Sequence, residues 1–323
     1  MNVSVQSTSE IPVLFMIFNR PETTKRVFET IRNERPYRLF VAADGPRPNK
    51  PDEAEKCAEA RKIATAVDWE CEIKTLFREE NLGCGSAPAR AITWFFENVE
   101  EGIILEDDCL PSHDFYLFCA MLLERYRYDH RIMEIGGNNF LSDSISNEES
   151  SYYFSNHNMI WGWATWRRAW QHYDFEMKLY KKVRDTPHMD SCFHSFYELN
   201  YFKWVFDKTV DTIDKVTWWD YQWEFMRRIN SGLVIVPKKN LVINLGLGTN
   251  ATHTTDPQGA GVNLKLEEMD FPLIHPDFVL ADIKRDDLFF KTIFTTRVSR
   301  IKANVKKVVP KFMLDFRSQY LKR

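Results

Sequence analysis

The first third of the chain alternates uninterrupted apolar runs with stretches in which apolar residues recur every three or four positions. Pro12 to Asn19 holds Val13, Leu14, Phe15, Met16, Ile17 and Phe18 in succession, the pattern of a strand buried on both faces. Asn19-Arg20-Pro21 ends it. Pro21 suits the first turn of a helix, and Thr23 to Glu34 puts Val27, Phe28 and Ile31 on one face. Tyr37 to Ala43 predicts a second strand, closed by the turn residues Asp44-Gly45-Pro46. A helix over Pro51 to Val67 and a third strand over Cys71 to Phe77 follow. After a small-residue loop, Asn81 to Ala87, a helix is predicted over Pro88 to Val99. Gly102 to Leu105 is then a short apolar strand that runs directly into Glu106-Asp107-Asp108, and Ser112 or Asp114 caps a helix reaching Tyr126.

This β-α-β-α order predicts an α/β fold, a mainly parallel sheet with helices on both faces. Ligands of such sheets sit beyond the carboxyl ends of the strands. Three polar strand ends, Asn19-Arg20, Asp44 and Glu106-Asp107-Asp108, are therefore expected to converge on one crevice. The second half is less regular. Strands are predicted at Ile132 to Ile135, Leu233 to Val236 and Leu241 to Leu245, and helices at Phe193 to Asp211 and Trp219 to Ile229. Asp143 to Ser151 reads as an acidic, Ser-rich loop, and Asn250 to Asn263 as a mobile Gly/Thr/Asp/Pro loop.

Composition narrows the class. With 323 residues, 44% hydrophobic and 14% aromatic, the chain can bury a full core and is not a disordered protein. A net charge of -3 gives no reason to expect a nucleic-acid partner. Cys57, Cys71, Cys84, Cys109, Cys119 and Cys192 form no C-x-x-C pair and read as thiols of a reducing compartment. The polar stretch Met1 to Glu10 lacks the apolar run of a signal peptide, so a cytoplasmic protein is expected. From Arg297 the chain interleaves Lys and Arg with Ile, Val, Phe and Leu. That pattern fits either a helix lying on an anionic membrane at its inner face or a solvated helix packed on the domain.

Three consecutive carboxylates at the end of a buried strand repel one another and lose hydration unless a cation or hydrogen-bond donors meet them. Mg2+ and Mn2+ take one or two carboxylates and leave other positions to phosphate and water. The alternative is a solvated acidic turn or helix cap. Asp220 lies within Trp218-Trp219-Asp220-Tyr221-Gln222-Trp223, where burial can raise an acid's pKa; alternatively it caps the next helix. Trp161, Trp163 and Trp166 are candidates either for stacking on a sugar or for core packing. Gly246 and Gly248 lack the third glycine and the following helix of a dinucleotide fingerprint.

Gly102 to Pro111 resembles the metal-binding "DXD-type" signature of GT-A glycosyltransferases. It is similar to the Glu-Asp-Asp version in the N-acetylglucosaminyltransferase that begins complex N-glycans. Phe18-Asn19-Arg20-Pro21, Ala43-Asp44-Gly45-Pro46, Asn81-Leu82-Gly83 and Trp161-Gly162-Trp163-Ala164-Thr165-Trp166 extend the pattern. Together they resemble a bacterial family of sugar-nucleotide transferases, some labelled hemolytic-protein-like. The resemblance covers residues 11–255. It implies a GT-A domain with an irregular acceptor-side half; an extension over 256–296 and a basic tail over 297–323 are expected outside it.

The resemblance also implies roles. Asn19 and Arg20 would meet the nucleotide, Asp44 would accept a hydrogen bond from a uracil base, and Asn81 and Gly83 would lie near ribose or diphosphate. Asp44 has the alternative of capping its own turn. Asp108 would touch the metal, Asp107 would meet ribose or a metal-bound water, and Glu106 would orient both. Asp220 would be the base of an inverting transfer, with Glu224 in reserve one helical turn on. His253 would be a further metal ligand from the late loop.

The expected activity is a Mn2+- or Mg2+-dependent transfer from a nucleotide-diphosphate sugar, of the UDP kind, to a glycan or lipid-linked acceptor. Two rivals are a membrane-binding or lytic protein and a sugar-nucleotide nucleotidyltransferase. The first gives no reason for carboxylates at converging strand ends. The second needs a Gly-rich, Lys/Arg-bearing loop where Asn19-Arg20-Pro21 stands.

Overall fold

The computed structural model describes residues 7–142, 149–247 and 264–294. Its first half is a strand–helix alternation: β1 (Val13–Ile17), α1 (Pro21–Glu34), β2 (Arg38–Ala43), α2 (Glu53–Ala64), β3 (Glu72–Phe77), α3 (Gly83–Asn98) and β4 (Glu101–Glu106). Then come β5 (Cys109–Pro111), α4 (His113–Arg125), β6 (Ile132–Gly136), β7 (Tyr152–Ser155), β8 (Trp163–Trp166), and the short helices α5 (Arg167–Trp170), α6 (Tyr180–Val183) and α7 (Pro187–Ser191). The chain continues through α8 (Phe196–Asp211), α9 (Asp220–Ile229), β9 (Leu233–Pro237) and β10 (Val242–Asn244).

Eight strands form one sheet in the order β3-β2-β1-β4-β8-β6-β9-β7. The β3-β2-β1-β4 half is parallel throughout, while β8 and β7 run antiparallel to their neighbours. The sheet is mainly parallel, as expected, with antiparallel insertions that the sequence pattern did not announce. Alternate residues of β1 go to opposite faces. Val13, Phe15 and Ile17 join Val27, Phe28 and Ile31 of α1 and Phe115 of α4. Leu14 and Met16 join Ile92, Phe95 and Phe96 of α3, with Trp163, Trp219 and Trp223. A third apolar cluster joins α8, α9, β7 and β9 to Phe289, Phe290 and Phe294.

Three strands were missed: β5, β7 and β8. The late strand is shorter than expected and pairs with β5 in a separate ribbon. The loop expected over Asn81 to Ala87 is largely helix, because α3 starts at Gly83. Both oxygens of Asp44 accept from backbone N–H groups at that start, Leu82 and Gly83. Ser112 is the cap of α4, accepting from Phe115 N at 3.3 Å. No helix among the described residues is long and apolar enough to cross a membrane. The loop over residues 250–263, His253, most of the acidic Asp143 to Ser151 stretch and the basic tail lie outside the described residues.

Glu224 is not a reserve base. It is 1% exposed and clamped on α9 by Arg227 (Nη2 to Oε2, 2.5 Å) and Arg228 (Nε to Oε1, 2.6 Å). Two cations three and four residues on in the same helix hold it as a structural anion. Arg227 also donates to the carbonyls of Gly232 (2.8 Å) and Asn156 (2.6 Å), and lies 3.8 Å from buried Glu134. Removing Arg227 would leave Glu224 and Glu134 short of a buried counter-charge. Arg227→Ala is therefore expected to destabilise the protein by roughly 3–5 kcal/mol in urea unfolding. A loss below about 1 kcal/mol would show that this network does not anchor α9.

Candidate active site

A cleft of about 1190 Å3 opens over the carboxyl ends of β1, β2 and β4. Asn19, Arg20, Asp44, Asn81, Gly83, Glu106, Asp107, Asp108, Trp161 and Asp220 all line it. The register explains the first part of this convergence. Ile17 pairs with Ala43 and Met16 with Glu106, so the chain leaves three neighbouring strands side by side.

At the centre, Phe18 N donates to Asp107 Oδ2 (2.9 Å). Arg20 Nη1 donates to Asp108 Oδ2 (2.6 Å) and, at 3.3 Å, to Asp107 Oδ1. These contacts leave the acids undercompensated. Burial first, then the charges of Asp108, Asp107 and Asp220, push Glu106 up to about 8. Burial, and then Asp108, push Asp107 up to about 7, against the opposing pull of Arg20. Asp220 is one of the charges that act on Glu106, and both residues line the cleft.

Asp108 sits against the start of the late loop. Its carbonyl accepts from Leu245 N (2.6 Å), and Asn244 Nδ2 approaches Oδ1 at 3.4 Å. A Cβ on Gly246 would come within 2.3 Å of Asp108 Oδ2, so a side chain there would displace the carboxylate. The donors gathered here are hard oxygens. Among the described residues no three His, Cys, Asp or Glu side chains are arranged to hold a metal by themselves. A hard divalent cation with one or two carboxylate ligands, completed by phosphate and water, fits such a set.

Other residues brace the cleft. Asp44 is spent on backbone N–H groups: Gly45 (3.0 Å), Leu82 (2.9 Å) and Gly83 (2.9 Å). Its turn-capping alternative is the role its hydrogen bonds display. Asn81 Nδ2 donates to Gly45 O (2.7 Å), tying the same turn. Asn19 Nδ2 donates to Glu53 Oε1 (2.7 Å), and Glu53 also takes Arg47 through its backbone N (2.7 Å) and Nε (3.0 Å).

Arg47 and Arg78 are among the cleft residues that were missed. Arg47 lies with its guanidinium 5.6 Å from the Phe18 ring centroid. Arg78 has no ion pair or side-chain hydrogen bond among the described residues, and burial holds its guanidinium below the ordinary arginine value. Arg78 directly follows β3, so the strand-end rule that selected Asn19 and Asp44 selects it too.

On the far side, Asp220 opens α9 and is half-buried in the cleft wall. The cap position belongs to Trp219, so Asp220 stands in the first turn rather than capping it. Trp161 is half-buried and lines the cleft, its ring 4.9 Å from that of Phe140. Trp163 does not bind there. It is 1% exposed, within β8, and stacked on Trp219 at 5.7 Å and 20°. Trp166 is likewise core, 2% exposed with its indole N–H on Leu123 O. Both are enclosed because β8 lies between β4 and β6 with helices covering its two faces.

No protein-family model matches the chain, and no curated protein matches it significantly. Among solved structures, HddC from Yersinia pseudotuberculosis superposes with a TM-score of 0.33 at 11% identity, over 54% of this chain and 86% of that one. A likeness of that size carries no argument about activity.

The acidic centre has a consequence for stability. The folded state raises the Glu106 pKa from 4.5 to about 8, so it disfavours the ionised form. The contribution of Glu106 to stability therefore falls as pH rises from about 4.5 through about 8. In chelator-treated protein, Glu106→Gln is expected to raise the thermal midpoint, with a gain that widens across that window and levels off above it. A gain that is flat or shrinks with rising pH would contradict the electrostatics described.

Proposed function

We propose that this chain is a metal-dependent glycosyltransferase of the GT-A type, moving a sugar from a nucleotide diphosphate to an acceptor hydroxyl. One observation carries the reading. A carboxylate surplus at the end of β4, only partly met by Arg20, faces a further carboxylate, Asp220, across a single large cleft. An acid cluster that costs stability in the free protein is what a cation–diphosphate pair would relieve.

In this reading Asp108 would hold Mg2+ or Mn2+, with Asp107 close by, and an ion bound there would supply Lewis-acid stabilisation of the departing diphosphate. Arg78 and Arg47 lie on the β2–β3 side, where their positive charge suits nucleotide phosphates. Asp44 and Asn81 shape that end by fixing the turn before α3. Asp220 accepts the proton of the acceptor hydroxyl as its oxygen bonds to the anomeric carbon. The bond from that carbon to the phosphate oxygen breaks, and the nucleoside diphosphate leaves. A base opposite the leaving group gives inversion. The acceptor is a glycan, free or lipid-linked.

Two variants separate the halves of this mechanism. Asp108→Ala should weaken Mn2+-dependent UDP binding, read by isothermal titration, at least about tenfold. Unchanged binding in that variant would sink the metal assignment. Asp220→Asn should keep UDP affinity while lowering UDP-sugar turnover by about 10²–10⁴-fold. Normal turnover would remove Asp220 from the base role.

A further inference from the structure

The cleft continues past Asp220 to a wall of different character. On α8, Tyr201, Trp204 and Lys208 recur at helical spacing and face the cleft, and Trp218 and Tyr221, either side of Asp220 in sequence, line it next to them. Trp204 is 45% exposed. The Lys208 ammonium lies 5.2 Å from the Trp218 ring centroid and 5.8 Å from that of Trp204. It forms no ion pair among the described residues, and its neighbour Asp207 is committed to Arg184 at 2.6 and 2.7 Å.

This wall is built before any ligand arrives. Trp218 Nε1 donates to Thr209 Oγ1 (2.9 Å), which fixes the indole plane, and the Trp218 ring meets Tyr221 edge-on at 6.0 Å. Its carbonyl lies against the first turn of α3, where a Cβ on Gly85 would come within 3.1 Å of it and within 2.5 Å of Val216 O. The aromatic wall is thereby set at a fixed position beside the opposite end of the cleft.

An indole face receives the apolar face of a pyranose ring. An ammonium held over two indoles without a carboxylate partner is matched by an anion in the same ligand. We infer that Trp204, Lys208 and Trp218 form an acceptor subsite for a saccharide bearing a negative charge, a carboxylate or a phosphate ester. The ring lies on the tryptophans and the charge on Lys208. Calling it the acceptor's subsite rests on the glycosyltransferase reading. The binding itself does not, because it requires neither metal nor nucleotide.

Three probes test it by saturation-transfer NMR and titration on the full chain: methyl β-glucuronide, glucose 1-phosphate and the neutral methyl β-glucoside. The charged sugars should bind about tenfold more tightly than the neutral one. Lys208→Gln should bring that ratio close to one, and Trp204→Ala should weaken all three. Both side chains are exposed on α8, and thermal midpoints within a few degrees of the parent would confirm folded variants. Preference for one charged sugar identifies carboxylate or phosphate as the group recognised. Equal binding of charged and neutral sugars, a ratio that survives Lys208→Gln, or no binding at all would overturn the subsite. UDP titration with Mn2+ on the same samples keeps the failures apart. Absent UDP binding counts against the proposed function alone, and glycoside indifference with intact UDP binding counts against the subsite alone.

Discussion

The site is organised by the difficulty of keeping negative charge at the buried end of β4. Glu106, Asp107 and Asp108 leave a strand whose preceding residues, Ile103 to Leu105, are fully enclosed, so three carboxylates crowd together at the base of the cleft. What can be supplied from the protein comes from β1, the neighbour in register: the Phe18 amide and the Arg20 guanidinium. That supply falls short, since Glu106 and Asp107 are still driven well above the ordinary carboxylate range. A fold retains such a cluster against its own stability where a ligand completes it, a known source of conflict between local rules and global structure.

The far wall meets this cluster because α9 is immobilised by residues that touch no cleft chemistry. Glu224, Arg227 and Arg228 bind α9 to the Gly232 and Asn156 carbonyls and to Glu198 of α8. Asn158 then bridges the first turn of α9, its backbone N–H on Glu224 Oε2 and its side chain on the Asp220 carbonyl. Trp219 stacks on Trp163 and Trp223 packs tilted against it. Of the tryptophans that read as a sugar platform or as core in sequence, Trp161 lines the cleft, whereas Trp163 packs beneath the helix that carries Asp220.

How much of this was legible follows from what a sequence pattern encodes. β1, β2 and β4 are buried on both faces and so appear as uninterrupted apolar runs, and the rule for parallel sheets then places Arg20, Asp44 and Asp108 at one mouth. β8 was hidden because Trp163 to Trp166 is short and carries no alternation, both of its faces being covered. β5 was hidden because its three residues find their partner only in β10, far along the chain. The start of α3 was masked by Gly83 and Gly85, which read as loop: Gly83 takes a φ of 78°, and Gly85 allows the close approach of the Val216 carbonyl. Glu224 was misjudged for a related reason. Arginines three and four residues later are visible in sequence, yet the same spacing describes an exposed ion pair, and only packing against β6 and α8 makes it a buried one.

The two ends of the cleft belong to different parts of the fold, strand ends on one side and α8 with α9 on the other. The junction where they touch must therefore fix the separation between anything bound at each. That junction is a backbone contact, the first turn of α3 against the Val216 and Trp218 carbonyls, with Gly85 at the interface. A backbone contact has no rotamers and no long lever arm, so it transmits position more stiffly than a side-chain pair. A methyl group there would push the Val216–Trp218 segment, and with it the wall that carries Lys208 and Asp220, away from the first turn of α3. Reach between the two ends is thus set by the one residue type small enough to allow the approach.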